Sequence, residues 1–233
     1  MTDAIYDQRR GRLQTYFNAT AMEAWAQLTS DAPVSRIRQT VREGRDRMRD
    51  TLLSWLPQDL SGARLLDAGC GTGALSVVAA HRGCAVTAVD IAANLVEIAR
   101  ERAPAHLAPG SITFQVGDML DPSFGRFDHV VAMDSLIHYP TQQIVNVIEG
   151  VADRTDRSIL LTFAPQTPAL TVMHGMGRLF PRTNRAPEII PVRPSALVYA
   201  IEQSRPLRGW KVARTERVSG GFYTSQALEL VRR

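Results

Sequence analysis

The sequence predicts an α/β fold: a doubly wound, mostly parallel sheet flanked by helices. Between Arg64 and Phe163, short apolar runs alternate with segments of helical period, as successive βαβ units require. A glycine-rich turn, Asp67-Ala-Gly-Cys-Gly-Thr-Gly73, joins the first run to the first helix of that series. Aspartates close four successive runs, at Asp67, Asp90, Asp118 and Asp134. Ligands of open α/β sheets bind outside the carboxyl ends of the strands, so acids recurring there point to a site.

Residues 1–60 precede the sheet and read as a helical cap. Asp7 to Phe17 is polar and arginine-rich, and Ala19 to Leu28 puts Met22, Trp25 and Leu28 on one face. Pro33 opens a longer helix in which Val34, Ile37, Val41, Met48, Leu52 and Trp55 recur at helical spacing. Six arginines, from Arg36 to Arg49, fill most of its other positions. The region reads either as a cap resting half against the sheet or as a lid over a ligand cleft.

The core is expected over residues 61–165. Leu65 to Asp67 is a buried strand, Ala74 to Ala80 a helix, and Ala85 to Val89 a second strand closing on Asp90. Ala92 to Ala103 is a helix stopped by Pro104. Ile112 to Val116 and His129 to Met133 are the third and fourth strands, Thr141 to Val151 a helix, and Ser158 to Phe163 the fifth strand. Residues 166–193 form an arm divided by Pro168, Pro181, Pro187 and Pro191, mixing methionines and other apolar residues with arginines. Over residues 194–233, a helix from Pro194 to Gln203 precedes two strands, Lys211 to Val218 and Phe222 to Val231, expected as an antiparallel edge pair.

Composition narrows the class. The 233 residues, 45% of them hydrophobic, suit one globular domain with additions. No apolar run is long enough for a membrane span and no secretory signal is visible. Cys70 and Cys84 are too few for a disulfide framework and read as reduced residues of a cytoplasmic protein. The net charge of +4 favours an anionic partner. The arginines are dispersed and no nucleic-acid module is recognisable, so nucleic acid is not expected. The five histidines are scattered, so no metal site built by the protein is expected.

The spacing of the glycine turn selects among nucleotide-type ligands. Dinucleotide folds use G-x-G-x-x-G to bring pyrophosphate to a helix N-terminus. Here Asp67-x-Gly69-x-Gly71-x-Gly73 puts an acid just before the loop. An acid there suits an ammonium group, such as the methionine end of S-adenosylmethionine. Asp90 lies about twenty residues further on, where such folds bind ribose hydroxyls.

The pattern resembles the Rossmann-like fold of class I S-adenosylmethionine-dependent methyltransferases, a seven-stranded, mostly parallel sheet. That resemblance implies that Asp67, Gly69, Gly71 and Gly73 line the methionine moiety. It implies that Asp90, with Ile91 beside it, takes the ribose, and that Asp118 and Met119 face the adenine. Three further stretches are more specific: Tyr16-Phe17-Asn18, Asp134-Ser-Leu-Ile-His-Tyr-Pro140 and Leu161-Thr-Phe-Ala-Pro165. With the glycine turn, they resemble the magnesium-protoporphyrin IX O-methyltransferase family of chlorophyll and bacteriochlorophyll biosynthesis, from about Gln14 to the C-terminus.

The resemblance implies esterification of one propionate of magnesium protoporphyrin IX, with release of S-adenosylhomocysteine. A propionate is already ionised at neutral pH, so orientation and exclusion of water matter more than a base. His138 and Tyr16 are implied as the catalytic pair that holds the acceptor carboxylate. Asp134 either supports His138 or faces the cofactor. In the arm, Met173 and Met176 offer apolar contact to a flat macrocycle, and Arg178, Arg182 and Arg185 suit its carboxylates. The magnesium arrives inside the porphyrin. The family also implies the porphyrin-binding subunit of magnesium chelatase as a partner and peripheral contact with photosynthetic membranes.

Overall fold

The structure, a computed structural model, describes residues 4–19, 27–29, 33–166 and 189–233. Two described helices precede the sheet, α1 (Ala4–Ala19) and α2 (Arg36–Trp55). The core alternates β1 (Arg64–Ala68), α3 (Ala74–His81), β2 (Ala85–Asp90), α4 (Ala93–Arg102), β3 (Ser111–Val116), β4 (Phe127–Ala132), α5 (Thr141–Ala152) and β5 (Thr155–Phe163). It ends with α6 (Pro194–Gln203), β6 (Trp210–Gly220) and β7 (Tyr223–Arg232).

The seven strands form one sheet in the order β3-β2-β1-β4-β5-β7-β6. Strands β1 to β5 are mutually parallel, and β7 runs antiparallel to both β5 and β6. The chain therefore builds outward from β1 through β2 to β3, then crosses to β4 on the other side. That reversal beside β1 is a topological switch point, where open α/β sheets hold their ligands.

Strand alternation divides the core into two layers. Leu66, Val130, Ile159, Leu161 and Leu228 face one way, toward α5 and α6, and Tyr6 and Leu13 of α1 join that cluster. Leu65, Val131, Leu160 and Ala227 face the other way, against α2 and α3. Met48 and Leu52 of α2 are fully buried there, and truncating either to Ala costs about 2–5 kcal/mol. Gly44 allows α2 its close approach to the sheet, because a Cβ would meet the Tyr223 ring at 2.5 Å.

Several boundaries differ from the sequence expectation. The long helix begins at Arg36 and not at Pro33, because Ser35 is extended (φ −58°, ψ 155°) and its hydroxyl accepts the Arg38 N–H. Ile37, expected on the apolar face, is 54% exposed. The helix meets the β6–β7 turn at Thr40, whose Oγ1 accepts the Phe222 N–H. Strand β5 starts at Thr155, three residues early, and β3 is an edge strand with its outer residues exposed. Among the described residues, no helix is long and apolar enough to cross a membrane.

Candidate active site

A cavity of about 350 Å³ opens at the switch point. Gly69 to Thr72 after β1, Asp90 and Ile91 at β2, Gly117 to Met119 after β3, and Met133 to Ser135 after β4 all line it. All four aspartates singled out in the sequence thus reach one cavity. From outside the sheet, Tyr6, Arg10, Leu13 and Phe17 of α1 close one side, and Arg42, Arg45, Asp46 and Arg49 of α2 another.

The glycine turn is folded back over β2, with the N–H groups of Gly69 and Cys70 both donating to the Val89 carbonyl. Gly69 has φ 87°, and a Cβ there would lie 2.4 Å from Ser135 Cβ. Only glycine lets this turn lie against the end of β4. Gly71 lines the cavity and donates its N–H to Asp90 Oδ2 at 2.9 Å. Gly73 does not line it. It caps α3 in the left-handed region, where a Cβ would press on Phe114 and Ala99, so its role is helix-to-strand packing.

Asp67 is buried in β1, and the Ser76 hydroxyl donates to its Oδ2 at 2.5 Å. Burial pushes its carboxyl up to about 7, Ser76 opposes that, and the charge of Asp90 adds to it. Asp90 accepts Ala92 N–H on Oδ1 at 2.8 Å and Gly71 N–H on Oδ2. Burial raises its pKa against the pull of those amides. Each Asp90 oxygen keeps acceptor capacity, which suits a diol. Ile91 and Met119 add apolar wall beside it.

Asp118 is held from α1 as well as from its own loop. Its Oδ1 accepts the Tyr6 hydroxyl (2.9 Å) and the Leu120 N–H (2.9 Å), while Oδ2 accepts from Arg10 (2.5 Å). The carboxylate thus anchors α1 while it also lines the cavity.

Asp134 is the one non-glycine residue with positive φ (54°) among those described, a conformation that surrounding contacts must hold. Its N–H donates to Thr162 Oγ1 at 2.7 Å, and its carboxylate meets Thr162, the Tyr223 hydroxyl (3.2 Å) and Arg45 (3.5 Å). Asp134 thus joins β4, β5, β7 and α2, and no bond to His138 is among these contacts.

His138 is buried and lines the cavity. Arg9 donates to its carbonyl at 3.0 Å, and its ring lies 6.2 Å from that of Phe17. Tyr16 sits edge-on to Phe17 at 5.3 Å, but the cavity lining takes Phe17 and not Tyr16. Asn18 completes that sequence stretch by accepting Asn94 Nδ2–H on its carbonyl (2.9 Å), tying α1 to α4. Met173, Met176, Arg178, Arg182 and Arg185 lie outside the described residues. The two ends of their segment are drawn together by Gln166 N–H donating to Val192 O. Ile190 N–H donates to Ile137 O, beside His138.

Sequence reasoning did not single out Tyr6, Arg10, Arg42, Arg45 or Arg49. The spacing of Tyr6, Arg10, Leu13 and Phe17, and of Arg42, Arg45 and Arg49, follows single helical faces and was the available signal. No group of three or more His, Cys, Asp or Glu residues able to hold a metal occurs among the described residues.

A sheet of this order with antiparallel β7, an acid–glycine turn after β1 and an acid closing β2 together define a class I S-adenosylmethionine-dependent methyltransferase. Residues 65–156 match the family described as methyltransferase domain, and residues 132–232 match the magnesium-protoporphyrin IX methyltransferase C-terminus. The magnesium-protoporphyrin O-methyltransferase of Rhodobacter capsulatus is 47% identical over 96% of this chain and 97% of its own. That of Synechocystis sp. is 34% identical over the whole of both chains. The crystal structure of the Synechocystis PCC 6803 magnesium protoporphyrin IX methyltransferase with bound S-adenosylhomocysteine superposes with a TM-score of 0.83. It is 33% identical, covering 96% of this chain and 99% of that one. The chain belongs to the magnesium-protoporphyrin O-methyltransferase family.

Proposed function

We propose that this chain transfers the methyl group of S-adenosylmethionine to one propionate carboxylate of magnesium protoporphyrin IX, giving the monomethyl ester and S-adenosylhomocysteine. One observation carries the reading. The likeness to the Rhodobacter capsulatus enzyme runs along nearly the whole chain, including the regions outside the glycine-turn core. Acceptor choice resides in those added regions, since the core fold alone does not fix a substrate.

The residues present fit the cofactor. Asp67 and the Gly69–Gly71 turn suit its ammonium end, Asp90 its ribose diol, and Ile91 and Met119 a flat purine. Asp118 and Asp134 act by holding α1 and α2 at the rim. When bound, the cofactor supplies a sulfonium methyl group that an ionised carboxylate takes in line, with the bonding electrons returning to sulfur and no proton moving. The protein's part is to orient the acceptor and exclude water. His138 faces the cavity and holds the acceptor carboxylate. Tyr16, one ring away through Phe17, assists as α1 settles over the acceptor.

The arm offers Met173 and Met176 to the macrocycle and Arg178, Arg182 and Arg185 to its carboxylates. In support, Ile190, near its end, donates its N–H to Ile137 O in the loop that carries His138. The magnesium enters as part of the substrate. The reading extends to delivery by the porphyrin-binding subunit of magnesium chelatase and to peripheral membrane contact. A net charge of +4 and a pI of about 9.5 favour such anionic surroundings. The test is methyl transfer from labelled S-adenosylmethionine to magnesium protoporphyrin, set against metal-free protoporphyrin and a quinone precursor. Equal or better transfer to the quinone precursor overturns the acceptor assignment.

A further inference from the structure

We propose that Arg154, in the turn between α5 and β5, is a positioning residue for the adenine side of the cavity. It holds the Met119 carbonyl and thereby sets the wall against which the purine lies. This deepens the reading above that the cavity takes S-adenosylmethionine, and it rests on that reading.

Arg154 does not line the cavity, and its backbone is fixed at the opposite end of the sheet, where β4 and β5 begin. Its N–H donates to the Val151 carbonyl at 3.2 Å, and its own carbonyl accepts the Phe127 N–H at 2.9 Å. From there the side chain reaches the β3–β4 connection. The guanidinium carbon lies 5.7 Å from the centre of the Phe127 ring, and Nη2 donates to the Met119 carbonyl.

Met119 has space on two sides. It lines the main cavity, and it also borders a small apolar void enclosed with Val130, Leu136, Ile148 and Leu161. Its neighbours in the chain are held separately. Asp118 is tied to α1 through Tyr6 and Arg10. Leu120 lies against Gly150 of α5, where a Cβ would come within 2.9 Å of its Cδ2. Between these two anchors, the bond from Arg154 fixes the Met119 backbone.

Stability does not account for an arginine at this position. Arg154 is 8% exposed, and its Nε and Nη1 are buried with no hydrogen bond among the described residues. Burial lowers its pKa against the pull of the Asp121 and Asp118 carboxylates. A buried guanidinium with two idle donors adds little to folding, since apolar side chains of similar size often do as well or better. What an apolar side chain cannot supply is the donor to Met119.

Calorimetry on the full chain tests this with two ligands, S-adenosylhomocysteine and S-ribosylhomocysteine. The second keeps the amino-acid end and the ribose but lacks the base. Arg154→Met is expected to weaken S-adenosylhomocysteine about tenfold and to leave S-ribosylhomocysteine unchanged. The ligand-free Tm should move little, and the KM for S-adenosylmethionine should rise while kcat holds. Arg154→Lys keeps the charge but not the planar fork, so a loss of about threefold is expected, again for S-adenosylhomocysteine alone. It carries the same comparison if Arg154→Met does not fold. Equal losses for both ligands would reduce Arg154 to a structural residue and overturn the inference. Unchanged S-adenosylhomocysteine affinity in Arg154→Met, or in Arg154→Lys where the first does not fold, overturns it as well. A wild-type chain that binds neither ligand overturns the cofactor reading itself, and this inference with it.

Discussion

The Tyr6 hydroxyl donates to Asp118 Oδ1 at 2.9 Å, fastening α1 to the end of β3. The same tyrosine ring stacks on Tyr139 at 5.6 Å, in the loop that carries His138. One side chain thus joins the end of β3 to the loop that carries His138. Arg9 and Arg10, the next turn of α1, repeat the pattern, with Arg10 on Asp118 and Arg9 on the His138 carbonyl.

Removing these ties should loosen α1 without unfolding the sheet, because the helix adds Tyr6 and Leu13, with Phe17 partly buried, to a core built mainly from the sheet and its other helices. Tyr6→Phe and Arg10→Gln each delete a hydrogen bond to a carboxylate, of a kind worth roughly 1.5–3 kcal/mol when shielded. Arg10 is about one-third exposed, so its share falls below that range. Amide exchange across residues 4–19 should rise, and S-adenosylhomocysteine affinity should fall several-fold. Wild-type exchange rates in both variants would show that the latch is ornamental.

The sheet was legible because β1, β2 and β4 are apolar runs with sharp glycine or aspartate ends, and their burial requires that composition. The acids at their ends were legible for the same reason: a charge is costly at such positions unless it is used. The roles of Tyr6 and Arg10 were not legible. Their meaning depends on Asp118, 108 residues beyond Arg10, and sequence spacing carries no record of that pairing. Arg45 and Arg49 were hidden among six arginines that fill most of the other positions of that helix. Ile37 failed in the opposite sense, since a helical period shows which side is apolar but not how far the covering sheet extends.

Asp67 gives a pH dependence with a definite sign. Its unfolded carboxyl titrates near 3.9 and its folded one at about 7. Between these values the folded state holds more protons, so Asp67 erodes ligand-free stability as pH rises through that window. A bound ammonium group favours the carboxylate, so cofactor affinity should rise with pH, at most tenfold per unit, and level off above about 7. Asp67→Asn should abolish the rise, weaken binding and raise the ligand-free Tm at about pH 8. Ser76→Ala, which removes the opposing hydrogen bond, should shift the midpoint upward. Calorimetry from about pH 5 to about pH 8 reads both effects, and a flat wild-type profile would sink the assignment.

The Asp90 carboxylate holds the Gly71 and Ala92 amides and is proposed to meet the ribose. Asp90→Ala should therefore weaken S-adenosylhomocysteine and methylthioadenosine alike, since both carry the ribose. Two charge-assisted hydrogen bonds are at stake, each worth roughly 1.5–3 kcal/mol, so a loss of about tenfold to a thousandfold is expected. Calorimetry showing unchanged affinity in a folded variant would remove Asp90 from the ribose site.

His138 and Tyr16 should separate chemistry from cofactor binding. His138 faces the cavity, so His138→Phe should leave S-adenosylhomocysteine affinity nearly intact while slowing methyl transfer. The acceptor is already ionised, so the loss reflects positioning at a desolvated centre. One hydrogen bond there is worth roughly 2.7–4 kcal/mol, or about 10²–10³ in rate. Tyr16 stands behind Phe17, and its half-buried hydroxyl reaches the acceptor only if α1 shifts as the porphyrin enters. Tyr16→Phe should accordingly cost less in rate and act mainly on porphyrin KM, whereas Phe17→Ala, which removes the ring between the two, should impair both. Single-turnover rates with cofactor and porphyrin saturating isolate the chemical step. Wild-type rates in His138→Phe would reduce His138 to loop packing against Phe17. An effect of Tyr16→Phe equal to that of His138→Phe would place its hydroxyl directly on the acceptor and require α1 to sit deeper in the loaded enzyme than it does here.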